Sequence, residues 1–146
     1  MAEKVYESLK KKYPVKALKK LFPEAIKENL KESSDSTLDS YYRYFKELED
    51  YIYEFRSKPK LFIPVMKGLD AEQSKRSPKY SISDAEASLE YMERIIDLFE
   101  RYVEKLTKKD RQELSKKLDR IQYKNFAQFV EKVYDTIADF LSRRSG

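Results

Sequence analysis

Six carboxylates recur along one stretch of the chain: Glu86, Glu90, Glu93, Asp97, Glu100 and Glu104, at alternating steps of four and three residues. On an α-helix this spacing puts all six on one face. Each follows an apolar residue by one position, the apolar series being Ala85, Leu89, Met92, Ile96, Phe99 and Val103. A continuous acidic ridge beside an apolar seam has two readings. It is a solvated face, paired in part with lysines of neighbouring helices at small gain, or a strip that docks on a basic surface of the kind that holds nucleic acid.

A second candidate is the segment 58–82, which has no sustained helical periodicity although strongly helical stretches flank it. A loop this long in a compact domain is usually functional or flexible. It opens with the apolar run Leu61, Phe62, Ile63, Pro64, Val65, Met66 and goes on through Lys67, Lys75, Arg76, Lys79 and Tyr80. As a plug, the run closes one end of a bundle. As an interaction element, Leu61, Phe62 and Ile63 enter a partner's pocket while Lys67, Lys75, Arg76, Lys79 and Tyr80 meet acidic surface or phosphate. A third cluster, Lys10, Lys11, Lys12, Lys16, Lys19 and Lys20, cannot share a single helix face, so only part of it is available to nucleic acid or an acidic surface.

Catalysis is argued against by what the chain lacks. With no histidine and no cysteine, the commonest general base, the best nucleophile and most transition-metal sites are unavailable. No glycine loop that cradles phosphate occurs either. Carboxylate, lysine, serine and tyrosine chemistry or a magnesium site remain, and none shows a local signature. The expectation is a non-enzymatic protein with no metal and no cofactor.

The elements that must position these residues are helices. Glu3 to Lys12 reads as a short helix ended by Tyr13-Pro14, and 15–32 as a helix bent or restarted at Pro23. Ser33 to Ser36 form a connector with helix-capping side chains. From Thr37 to Ser57, Leu38, Tyr41, Phe45, Leu48, Ile52 and Phe55 fall at steps of three and four, an unbroken seam. The spacing predicts another helix from Ser83, with Ser83 and Glu86 as its capping box, running through Val103 to Leu106. A shorter helix covers 109–121, and a last one, 125–143, carries Phe126, Val130, Val133, Ile137 and Phe140. Tyr42, Tyr44, Tyr51 and Tyr53 lie off the strict seam, where they either broaden the core face or stay exposed for an interface.

Three long amphipathic helices with narrow seams need one another, so the fold class is all-α: a helical bundle of five to six helices forming a single domain over residues 1–146. The composition agrees, with two glycines and 39% charged residues. The net charge of +5 hides an uneven distribution, in which the acidic stretch 83–104 sits among basic ones at 1–32, 58–80 and 105–124. A helix-turn-helix over 109–141 is conceivable, though its turn has no glycine and its last helix is patterned for packing. The longest apolar run, Leu61 to Met66, is far too short for a membrane span or a signal peptide's apolar stretch, and an intracellular protein is expected.

In its size, its richness in lysine and tyrosine and its lack of cysteine, the whole chain resembles the small helical proteins of viruses that infect hyperthermophilic archaea, RNA polymerase inhibitors among them. The resemblance implies a protein of the host cytoplasm that wedges into the polymerase's DNA channel and inhibits transcription. The functional expectation is therefore a protein-binding inhibitor of nucleic-acid machinery, RNA polymerase above all. Direct nucleic-acid binding through the basic segments and a structural role in a virion are the alternatives.

Overall fold

A computed structural model describes residues 37–67 and 79–145. Among them are five α-helices and no strand, packed into a bundle, in keeping with the all-α expectation. We number them α1 (Thr37–Glu47), α2 (Glu49–Phe55), α3 (Ile82–Arg101), α4 (Lys108–Asp119) and α5 (Phe126–Ser145), with 3-10 turns at Pro59–Phe62 and Val103–Lys105.

The helix boundaries follow from local side-chain chemistry. Ser81, not Ser83, caps α3: its hydroxyl accepts from the Asp84 amide at 3.1 Å, while Asp84 Oδ2 accepts from the Ser81 amide at 2.8 Å. The capping box expected of Ser83 and Glu86 therefore lies two residues earlier, because aspartate serves in the third position as well as glutamate does and two serine-to-acid pairs compete for the start. Thr107 caps α4 by accepting from the Asp110 amide at 3.2 Å. At the start of α5, Asn125 Oδ1 accepts from the Gln128 amide at 2.8 Å, and Gln128 Oε1 reaches back to accept from the Lys124 amide at 2.7 Å.

The helix expected over 37–57 is two segments. At Leu48 the amide donates to both Tyr44 O (3.3 Å) and Phe45 O (3.1 Å), a tightening of the turn that separates α1 from α2 without breaking the ladder, since Ile52 N still reaches Leu48 O at 3.1 Å. The helix expected to run to Leu106 ends at Arg101, and its last turn is 3-10. The segment expected as a loop from residue 58 is helical at first: Pro59 opens a 3-10 turn with its fixed φ, and residues 63–67 continue in α-helical geometry.

The seams meet as periodicity demands. Every seam residue is buried except Leu106, which is partly buried, and all the buried apolar residues form one cluster. Helix α3 lies at the centre, packed most extensively on α5 and also against α1, α2 and the Pro59–Phe62 turn; α4 joins α1 to α5. Phe129 is the hub of an aromatic group, its ring 6.2 Å from Phe45, 6.0 Å from Tyr44 and 4.8 Å from Tyr123. The off-seam tyrosines divide: Tyr44 and Tyr51 are buried and widen the core, Tyr42 is half-buried, and Tyr53 stands out at 84% exposure.

Candidate functional site

Helices α2 and α3 pack side by side but leave a furrow between their outer edges. Its floor is apolar, made of Leu89, Ile52 and Ile96, core residues whose outer edges come to the surface. Two hollows lie in line along it. One, of about 260 Å³, is lined by Arg56, Pro59, Glu86, Leu89, Glu90 and Glu93; the other, of about 270 Å³, by Glu49, Ile52, Tyr53, Arg56, Glu93 and Ile96. Each is smaller than the roughly 300–1,000 Å³ of sites that enclose small molecules.

Arg56 and Glu93 line both hollows and divide them, with Nη1 of the arginine 3.5 Å from Oε1 of the glutamate. The arginine is 75% exposed there, so the bridge contributes little to stability and is free to exchange. Four carboxylates line the furrow, Glu49, Glu86, Glu90 and Glu93, against one guanidinium. Lys46 holds Glu49 at 3.1 Å, and Arg94 holds Glu90 from the side facing α5, where its guanidinium carbon lies 5.9 Å from the centre of the Tyr134 ring. Among the described residues, no ion pair involves Glu86.

The acidic ridge read from the sequence thus has a definite place. Glu86, Glu90 and Glu93 form one lip of the furrow. Asp97 pairs with Arg101 along α3 at 2.8 Å. Glu100 is held across the helix boundary by Lys46 at 3.3 Å and by the Tyr42 hydroxyl, which donates at 3.1 Å; partial desolvation and this carboxylate both push the Tyr42 phenol up. Glu104 is exposed on the 3-10 turn after α3.

Of the two readings of the apolar run, plug and docking anchor, burial at Phe62 and Met66 favours the plug. Phe62 is fully buried, its ring 5.5 Å from Phe55 and 6.2 Å from Phe126, and Met66, one helical turn on, is buried as well. Leu61 and Ile63 are half-buried against the same core. Phe62 lies at the end of the 3-10 turn that Pro59 opens, inside the core, and is not available to a partner. Lys67 and Tyr80 are half-buried and Lys79 is exposed. Lys75 and Arg76, like Lys10, Lys11, Lys12, Lys16, Lys19 and Lys20, lie outside the described residues. Sequence reasoning missed Arg56 and Glu49, and it singled out Tyr53 only as one of four aromatics off the seam, either core-broadening or exposed.

Among the described residues, no group of histidine, cysteine, aspartate and glutamate is arranged to hold a metal ion, and no helix is long and apolar enough to cross a membrane.

The described residues thus form an all-helical bundle with a shallow furrow between α2 and α3. A family model, the DDX60 TPR domain, matches residues 2–130, and the chain belongs to that family. No curated protein and no solved structure matches the chain. TPR domains mediate contacts between proteins, by stacking helix pairs into a surface that neighbouring pairs share. The consensus letters of such repeats are thin here, since the chain has no tryptophan and two glycines.

This membership overturns the resemblance to archaeal viral proteins, and with it RNA polymerase binding, inhibition of transcription, and the nucleic-acid-binding and virion alternatives. The physical reason is plain. Size, lysine and tyrosine content and absence of cysteine are totals that any charged helical chain reaches, whereas the family match is carried position by position.

Proposed function

We propose that the chain is a protein-docking domain that does no chemistry of its own, and that the furrow between α2 and α3 is where a partner sits. The observation that carries this reading is Tyr53, 84% exposed at the edge of a furrow with an apolar floor. An exposed tyrosine offers a large, stiff and amphipathic contact at low entropic cost, which is why it is enriched at interfaces. Membership of a TPR-domain family supports the same reading, as does a sequence without histidine or cysteine.

A photo-crosslinking amino acid at position 53 tests it. Tyr102, 51% exposed beyond the far end of α3, is the control position. A cross-linked protein partner enriched at 53 over 102 is expected; equal yields at both positions, or none at either, would remove the furrow as the docking site.

A further inference from the structure

We propose that the furrow takes a lysine- or arginine-bearing amphipathic segment of a partner protein, with its apolar side chains in the two hollows and its cations on the Glu86, Glu90 and Glu93 lip. This rests on the reading of the furrow as a docking site and adds the chemistry of the occupant. Charge complementarity selects it. The lining has four carboxylates to one guanidinium. Lys46 and Arg94 partner Glu49 and Glu90 from outside it, which leaves Glu86 without an ion pair among the described residues and Glu93 with only the exposed Arg56. The lip therefore stays net acidic although the chain as a whole is +5. Arg56 already shows the polar half of the contact: it lines both hollows, and its exposed guanidinium lies 3.5 Å from Glu93. An incoming cation replaces it there and joins the two hollows.

The spacing adds a requirement. Leu89 and Ile96 floor the two hollows and are seven residues apart on one helix, about 10 Å along its axis. A partner helix lying alongside α3 presents side chains at that separation from positions i and i+7, with i+3 or i+4 between them.

Fluorescence anisotropy with the full chain and three labelled synthetic peptides tests the proposal: an amphipathic leucine–lysine helix, the same leucine pattern with glutamate for lysine, and a lysine–serine peptide without leucine. The leucine–lysine peptide is expected to bind, the leucine–glutamate peptide not to bind, and the lysine–serine peptide to bind at least roughly tenfold more weakly. Glu86→Lys with Glu93→Lys should weaken the leucine–lysine peptide roughly tenfold, and Arg56→Gln should strengthen it about two- to fivefold. Glu113→Lys with Asp139→Lys, exposed positions away from the furrow, should leave it unchanged. Circular dichroism checks that each variant is folded. An equal loss in the Glu113 and Asp139 variant, or equal binding of the lysine–serine peptide, overturns the proposal in favour of diffuse charge attraction. Binding of the leucine–glutamate peptide at the furrow overturns the basic partner and leaves the docking site standing. No peptide reaching the furrow, with no cross-link at 53, removes both. A dimer in sedimentation that the Glu86 and Glu93 reversals dissolve overturns it in favour of a second copy of this chain.

Discussion

The rings of Phe55 and Phe62 lie 5.5 Å apart and tilted by 45°, joining the end of α2 to the turn that follows it. Both are fully buried, and Phe62 reaches on to Phe126 at the start of α5. Truncating Phe62 to alanine leaves a cavity where three elements meet. The expected cost is about 3–5 kcal/mol, read from the shift in a urea or guanidinium unfolding curve. Leu61→Ala, at a half-buried position, should cost clearly less. Equal effects would contradict the inward placement of Phe62.

The start of α3 rests on Ser81 and Asp84. Ser81→Ala removes the oxygen that accepts from the Asp84 amide and should destabilise the domain by roughly 0.5–2 kcal/mol, measured by the same unfolding curve. Ser83→Ala should change little, because Ser83 is exposed within the helix. The reverse ranking would restore Ser83 as the cap.

Arg111 links three elements, with Nη2 3.2 Å from Asp39 Oδ1 on α1 and Nη1 donating to the carbonyl of Val103 at 3.2 Å. Lysine keeps the charge but cannot make both contacts at once. Arg111→Lys is therefore expected to lose nearly as much stability as Arg111→Ala, on the order of 1 kcal/mol. A lysine variant as stable as the parent would show that charge alone matters there.

Tyr41 donates from its hydroxyl to the Leu118 carbonyl at 3.3 Å. Burial first, and then the charge of Asp119, push its phenol well above the ordinary value of 10.0. The unfolded chain releases this proton before the folded one does, so stability is intact below about pH 10 and declines as pH rises above it. Unfolding midpoints taken between about pH 9 and 11 should fall less steeply in Tyr41→Phe than in the parent. Identical slopes would mean that the phenol is not sequestered.

Those parts of the fold that depend on periodicity were legible in the sequence. Leu38, Phe45, Ile52 and Phe55, and likewise Leu89, Met92, Ile96 and Phe99, are buried because steps of three and four put them on one stripe. Phe129 also fits such a stripe, three residues after Phe126 and four before Val133, but a seam drawn one residue wide passes it over in favour of Val130. The tightening at Leu48 left no mark, since neither glycine nor proline accompanies a turn made only by sharing one amide between two carbonyls. Phe62 was ambiguous because a short apolar run reads alike as plug and as anchor, and the decision belongs to its packing on Phe55 and Phe126. The furrow was half legible. Its acidic lip followed from spacing along α3, but Arg56 meets Glu93 across a gap of many residues, and no local pattern announces such a contact.

Helix α3 is both a wall of the furrow and the element against which α5, α1 and α2 pack. A helix so placed has no partial way to loosen, because prising it from one neighbour uncovers apolar surface shared with the others. Opening the furrow along its α3 side therefore disturbs the packing of the described bundle as a whole. Whatever settles there is held by the native state and refused by the denatured chain, so occupancy draws the whole unfolding equilibrium with it by mass action. If the furrow is the docking site proposed above, an unoccupied copy is the more perishable one, and melting temperature becomes a gauge of how full the furrow is.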